Sequence, residues 1–591
     1  MNDAIQICFL AHLSGPQVNS TNDLCVCLVE SGNLTIIARA GAPISAQQPS
    51  FVFADWFAAP SLRGNGEVFV RTAAGVQGEP ESFTETIAKL ENGNATLIAR
   101  EGDAAPGTST DVTFGKVFGG DVFSDPVLNQ NGNAVFFGRL VGPGVDDFNN
   151  SGVWTYDDTN GLRLVVRTGQ TVDLDETVAE DLRTIRHIGV FNGTGGEDGR
   201  ESILNDSSQL VGCLEFLDGS TAIMQVDVSA SILSCDFPFK PGDPVPMQGS
   251  FDPFIDTPTI DGSGKVVLET RVALPSGIQT GIFEFSGNDI ETIAFNGEMA
   301  PTQNGSLLYD AFSEPFIGDE GSIFFEAVVE QSGNDFETLF KQSNGQVVEI
   351  GRATEPCPFV PGSVYSSFSA FEDRLAISSS GQLGLFARID GSTLSDHLLL
   401  AERSGELTML IREGDPIPQY GDGITLEITG SQQTSTLVVN NQNQSAFVGR
   451  IQGPGVFSGN RNVLFCESNG EVVGLFRQDE SAPEFDAIAE WDSFANLRLN
   501  NNGDLLFIGK TSIPGNFLDE SVCIYNEQTG LRLIAREGQQ LDDNCFLSTT
   551  DFVSFNDNGQ CVFYANVFDA GATVTGSGIF FFDGQICIPL Q

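Results

Sequence analysis

The sequence predicts an all-β fold: a β-propeller array of about ten four-stranded repeats, closed as one large ring or as two rings. Three observations carry this reading. Glycine (66) and phenylalanine (47) are abundant while Lys and Arg together number 28, and short Val/Ile/Phe runs alternate with Gly/Asn/Asp clusters, the composition of strands and turns. An Asn-x-x-Gly turn recurs at a mean pitch of about 62 residues over nine intervals from position 5 to 559. A second anchor, Arg-x-Gly, recurs later in each repeat.

The turn appears in full at Asn129–Gly132, Asn500–Gly503 and Asn556–Gly559, each followed four residues on by Phe136, Phe507 or Phe563. Gly66, Ser208, Gly264, Gly321, Gly381 and Asn443 hold the glycine position in degenerate copies, and a worn copy at Asn2/Ile5 leads to Phe9. The second anchor reads Arg39-Ala-Gly41, Arg100-Glu-Gly102, Arg167-Thr-Gly169, Arg412-Glu-Gly414 and Arg536-Glu-Gly538, with looser copies at Arg352 and Arg477. Between the anchors lie Asn92-Gly93, Asn160-Gly161, Asn344-Gly345, Asn469-Gly470 and Asp583-Gly584. These pairs supply the positive φ values of two-residue hairpins, so a strand flanks each side.

The third repeat gives the template. Strand one covers Val122 to Leu128, strand two Ala134 to Leu140, strand three Gly152 to Tyr156 and strand four Leu162 to Arg167. A Gly/Pro-rich linker such as Glu101–Gly107 leads onward. One such sheet cannot bury both its faces alone, so neighbours must stack. The array runs continuously over 1–591, with a split near 236 (1–235 and 236–591) as the alternative. Two irregularities stand out. The first repeat lacks strand one. The repeat from about 170 to 235 is divergent, and only the short turn at Asp218-Gly219 joins its strands two and three.

The motifs Asn129–Phe136 and Asn440–Phe447, with the Ala-Arg-Glu-Gly copies at 99–102 and 535–538, resemble the bacterial tandem-repeat proteins named for an NxxGxxAF motif, many of which carry a C-terminal surface-sorting anchor. The resemblance covers essentially the whole chain. It implies a β-propeller-like fold and an extracellular or cell-surface place, and no activity. The unit Asp198-Gly-Arg200, Leu204-Asn-Asp206, Asp218-Gly-Ser220 resembles one that often closes such arrays, but here it sits mid-chain. The N-terminus does not read as a signal peptide, since the first basic residue is Arg39.

A formal charge of −51 argues against nucleic acid and anionic membranes as partners. No apolar run reaches the 18 residues that would suggest membrane insertion. The eleven cysteines include no CxxC pair. Cys25 and Cys27 share a strand face, and Cys466, Cys523 and Cys561 sit in apolar runs, reading as small buried hydrophobes.

Candidate chemistry is sparse. His12, His187 and His397 fall in different repeats with no shared spacing. The stretch Gly193–Gly199 lacks the Lys-Ser/Thr of a phosphate loop. Asp146-Asp147, Asp173-x-Asp175-Glu176 and Asp542-Asp543 offer oxygen ligands for Ca²⁺ but match no calcium loop, and read as solvated turns. The recurrent arginine reads as structural, pairing with an acidic residue of a neighbouring strand or capping carbonyls between blades. Trp154 reads as core. No catalytic, cofactor or metal residue is assigned. The expected function is a non-enzymatic binding or structural scaffold with an unknown protein or glycan partner. The alternatives are a carbohydrate-active or glycan-binding propeller, and a filament subunit self-associating through the incomplete first repeat.

Overall fold

A computed structural model describes residues 6–590 apart from 14–16, 31–32, 92–93, 117–119, 175–180, 190–202, 241–249, 256–257, 287–288, 303–306, 314, 319–320, 369–374, 379, 391–396, 404–405, 429–436, 469, 483–488, 513–518, 543–544, 570–573 and 583–586. Among these residues there is no α-helix, only two 3₁₀ turns at Pro80–Ser82 and Pro418–Tyr420. The strands form ten antiparallel sheets that follow one another along the chain. We number them 1 to 10: 7–39, 51–100, 113–167, 171–239, 250–295, 308–352, 364–412, 425–477, 490–536 and 540–590. The chain divides into two compact bodies, Met1–Glu298 with Glu314–Ile317, and Met299–Ser313 with Gly318–Gln591. Position 236 lies in the last strand of sheet 4, and the division into bodies falls one sheet later.

Sheet 3 shows how the template is realised. Strands two, three and four are Ala134–Val141, Ser151–Asp157 and Gly161–Arg167. Strand one is broken into Thr113–Phe114 and Val127–Leu128, which pair with opposite ends of strand two. The same break recurs in sheets 2, 5, 6, 7 and 8. Sheet 1 has three strands among the described residues, Ile7–His12, Leu24–Glu30 and Asn33–Arg39. Sheet 4 joins Gln209–Phe216 to Thr221–Asp227 through the Asp218-Gly219 turn.

Apolar clusters form across the joints between successive sheets. One spans sheets 1 and 2 around Val26, Phe53 and Val70, and another sheets 2 and 3 around Phe69, Phe114 and Trp154. In the second body, clusters join sheets 7 and 8 around Phe386 and Phe447, and sheets 9 and 10 around Ile508 and Phe563. Within each body, successive sheets bury apolar faces against one another, which is why a lone repeat has no core.

The Asn turn has a function that its sequence did not disclose. In sheets 3, 8, 9 and 10, Oδ1 of Asn129, Asn440, Asn500 and Asn556 accepts the N–H of the residue four positions on, at 2.8–3.1 Å. The amide Nδ2 donates onward to the main-chain carbonyl at the same position of the next sheet: Asn129 to Asn205 (3.0 Å), Asn205 to Asp261 (3.0 Å), Asn440 to Asn500 (2.8 Å) and Asn500 to Asn556 (3.1 Å). Arg63 makes the corresponding link from sheet 2 to Asn129 at 3.1 Å. The next residue forms a parallel ladder, as Gln130 N–H to Asp206, Asn441 N–H to Asn501 and Asn501 N–H to Asp557. Asparagine suits this place because one side chain carries both an acceptor and a donor. Every residue at the degenerate glycine positions has positive φ, including Ser208 (66°) and Asn443 (62°).

A second regularity sets the arginine. In eight sheets the register between strands three and four slips by one residue, so that Ile37, Ile98, Val165, Ile293, Ile350, Leu410, Leu475 or Ile534 is left without an opposite partner. Such a bulge bends the strand and re-aims the residues after it. In seven of these sheets, all but sheet 5, the arginine stands two positions later. Arg39 donates to Asn22 O (2.7 Å), Arg100 to Ser82 O (3.5 Å), Arg167 to Asn149 O (3.2 Å) and Arg477 to Asn460 O (2.7 Å). The capped carbonyl lies at the entrance to strand three of the same sheet, not between sheets as expected. The residue two after the arginine then links sheets: Gly41, Gly102, Gly169, Gly414 and Gly538, with Thr354 and Asp479 in the looser copies, all have positive φ and donate their N–H to strand one of the following sheet.

Candidate functional site

The repeated polar residues are committed to the scaffold, the asparagines tying sheet to sheet and the arginines bracing strands within a sheet. What varies is the set of connections, above all the loops between strands two and three and the linkers after strand four. In the second body a cavity of about 440 Å³ opens where these meet at sheets 7 and 8, lined by Arg412, Glu413, Gly414, Asp415, Thr425, Gln452 and Gly453.

The linker supplies most of its wall. Asp415 Oδ2 accepts Arg412 N–H at 2.8 Å, closing a tight turn. Gly414 takes a φ of +85° and donates to Leu426 O at 2.8 Å, and Leu426 N–H returns to Asp415 O at 2.9 Å. Glu413 meets His397 Nδ1 at 2.7 Å, with both side chains largely buried. Opposite, Gly453 has a φ of +135°, and a Cβ there would stand 2.3 Å from Gly423 O, so only glycine allows the chain to pass so close. The cavity wall mixes polar and apolar surface and presents carboxylate and backbone groups to a small ligand. The carboxyls held above their usual range, Glu298, Glu326, Glu337, Glu467 and Glu480, are not among its lining residues.

Gly453 also opens a loop that the chain builds twice. Gly453-Pro-Gly-Val456 with Asn460 in sheet 8 matches Gly142-Pro-Gly-Val145 with Asn149 in sheet 3. In both, the Asn amide donates to the carbonyl of the second glycine, Asn149 to Gly144 at 2.9 Å and Asn460 to Gly455 at 3.0 Å. Its Oδ1 accepts a backbone N–H three residues earlier at 2.8 Å. The loop is thus stapled on itself and holds an aromatic ring in solvent: Phe148 is 59% exposed and Phe457 58%. Sequence reasoning passed over this pair, although the Gly-Pro-Gly-Val…Asn spacing was there to be read.

The other sequence candidates separate. His12 lies in sheet 1, 3.2 Å from Asp23 and exposed. His187 lies on an exposed stretch of sheet 4, opposite Glu215. His397 belongs to sheet 7. Asp146 caps its own loop by accepting Phe148 N–H at 2.9 Å. Asp173 is in sheet 4, whereas Asp175, Glu176, Gly193–Gly199, Asp543 and the Asp542 side chain lie outside the described residues. Among the described residues no three His, Cys, Asp or Glu side chains are placed to hold a metal ion. Trp154 is fully buried and donates Nε1–H to Pro106 O at 3.1 Å. The nine described cysteines are free thiols, five of them beyond Cys25 mostly buried as the apolar runs suggested, with Cys25 and Cys27 Sγ atoms 3.5 Å apart. Among the described residues no helix is long and apolar enough to cross a membrane.

A family model described as a family of unknown function, DUF7453, matches residues 1–230 and 240–583. No curated protein matches the sequence. Among solved structures, the polysaccharide lyase Uly1 is similar at 9% identity and a TM-score of 0.29, over 72% of this chain and 98% of that one. The acylaminoacyl peptidase of Pyrococcus horikoshii is similar at 13% identity and 0.24, over 80% of this chain and 58% of the peptidase. The α-L-arabinanase of Penicillium chrysogenum is similar at 12% and 0.21, over 48% and 80%. Overlaps this weak say nothing of activity.

Proposed function

The chain belongs to the DUF7453 family, and from that premise we propose that it is a non-enzymatic β-propeller scaffold that binds a protein or glycan partner through the rim loops of its sheets. The observation that carries this reading is the loop built twice, at 142–149 and 453–460, with the same internal hydrogen bonds and an exposed phenylalanine. A ring held in water on a rigid loop costs solvation but loses little entropy on binding, the property of an anchor residue. The repeated Asn and Arg hold sheets and strands together, so specificity falls to such loops. Placement at the cell surface follows from the resemblance to anchored repeat proteins.

The cavity at Glu413 and Asp415 favours a second reading, a carbohydrate-active site in which these carboxylates meet a sugar. One experiment separates the two. The chain is titrated against a panel of soluble polysaccharides by thermophoresis while products are followed by chromatography. The scaffold reading expects binding without product, weakened at least tenfold in Phe148→Ala/Phe457→Ala at unchanged melting temperature. Product formation lost in Glu413→Gln, or wild-type affinity in the double Phe variant, would overturn it.

A further inference from the structure

In sheet 2, Arg71 of strand two sits opposite Ile87, and Glu85 of strand three lies diagonally from it on the same face. The two meet at 3.5 Å, and Arg71 also reaches Asp121 at 3.0 Å and Asp125 at 2.7 Å. The Glu85 carboxylate accepts the N–H groups of Val122 and Phe123 at 3.0 Å, fastening the segment between the two pieces of strand one of the next sheet. The joint is therefore an ion pair with a backbone clasp.

Sheet 6 repeats the geometry with one sign changed. Glu326 sits opposite Leu339, and the register slip follows Leu339 as it follows Ile87. Glu337 takes the place of Glu85 and accepts Phe368 N–H, from strand one of sheet 7, at 3.3 Å. Glu326 therefore stands where Arg71 stands, and a carboxyl replaces the guanidinium. It is 2% exposed, and neither of its oxygens has a hydrogen-bond partner. Nearby cations are engaged elsewhere: Lys341 with Glu402, Arg352 with Glu349 and Glu355. On sheet 7, Arg388 is exposed and His397 pairs with Glu413, while Tyr365 is the titratable side chain of the fastened strand.

We infer that Glu326 and Glu337 together hold one proton at neutral pH, forming a proton-binding joint between sheets 6 and 7 that loosens when the proton leaves. Two carboxyls on one face, one of them fully buried and the other half-buried, cannot both ionise cheaply. Burial, with the Glu337 charge added, pushes Glu326 up from the usual 4.5 to about 8. Burial also raises Glu337, against the pull of the Phe368 N–H. A carboxyl raised in the folded state binds a proton that the unfolded chain releases, so its burial is least costly below pH 4.5 and stability falls as pH rises to about 8, then levels.

The test is the melting temperature of the full chain at constant ionic strength from pH 4.5 to 9.5, for wild type, Glu326→Gln, Glu326→Arg and Glu337→Gln. Glu326→Gln should melt higher than wild type by a margin that grows up to about pH 8 and then stays constant. Glu326→Arg, recreating the pair of sheet 2, should be stabilised at pH 8 and above. Hydrogen exchange of 364–368 in wild type, corrected for intrinsic rates, should quicken above pH 8 and stay slow in Glu326→Gln. A margin that does not change with pH would overturn the proposal. So would a rise in wild-type melting temperature with millimolar CaCl₂ at pH 7 that Glu326→Gln abolishes, since the pair would then hold a metal ion.

Discussion

Replacing Asn440 by Asp tests the asparagine ladder with the smallest change of shape. Asn440 is 2% exposed. Its Oδ1 accepts Gln442 N–H at 3.0 Å and Gln444 N–H at 2.9 Å, and its Nδ2 donates to Gln444 Oε1 at 2.7 Å and Asn500 O at 2.8 Å. Aspartate keeps both acceptors and loses both donors. Two hydrogen bonds at about 1 kcal/mol each are lost, and a buried carboxylate is set against the Asn500 carbonyl, adding roughly 1–3 kcal/mol. The expected loss at pH 7 is about 3–5 kcal/mol. The introduced carboxyl has its folded pKa raised above its unfolded value near 3.9, so the carboxylate part of the penalty is absent well below pH 4 and grows as pH rises, while at least one donor is missing at any pH. Asn440→Ala loses all four bonds and should show a penalty independent of pH. The assay is urea unfolding at pH 4 and pH 7, read by fluorescence of Trp491, which is buried in the cluster of sheets 8 and 9. A loss in Asn440→Asp of under about 0.5 kcal/mol at pH 7 would show that Nδ2 does not bear on stability, and an equal loss at both pH values would show that the introduced carboxylate carries no penalty.

Other joints yield further expectations. Thr354 is an exposed, β-branched residue at φ +69° where most other repeats carry glycine. Thr354→Gly should stabilise the chain by about 1 kcal/mol in the same assay, and a destabilised variant would contradict the strain argument. Gly453→Ala brings a Cβ onto Gly423 O, whereas at Gly470, φ +83°, an added Cβ meets open space. Gly453→Ala should cost more than about 2 kcal/mol and Gly470→Ala about 1 kcal/mol, and equal costs would count against the close approach. Arg477 donates Nε–H to Asn460 O and lies 5.3 Å over the Tyr420 ring. Arg477→Lys keeps the charge but loses the planar fork, and should cost about 1 kcal/mol. An unchanged urea midpoint would mean that charge alone matters there.

Much of the architecture could be read from residue order. Asn129–Gly132 and Asn160-Gly161 mark turns, because their positive-φ positions admit few residue types. The apolar runs between them then had to be strands, and strands two to four of sheet 3 follow the template to within a residue. The broken strand one was not legible, since its two pieces are too short to show a period. The slip that leaves Ile98 unpaired was hidden as well, because a bulge changes no residue type, only the register. At the rim, Phe148 and Phe457 were overlooked because a lone phenylalanine looks the same in a core and in a loop until its neighbours are known.

Local chemistry therefore determined fold class, repeat number and turn positions, since each depends on φ preferences and periodicity within a few residues. The tertiary structure decided what the repeated side chains touch. Asn129 bonds to Asn205, 76 positions on, and Arg100 to Ser82, 18 positions back. Most sharply, Glu326 looks like any strand glutamate in the sequence. Only the register that sets it in the place of Arg71, beside a second carboxyl and away from water, makes it a group that must keep its proton.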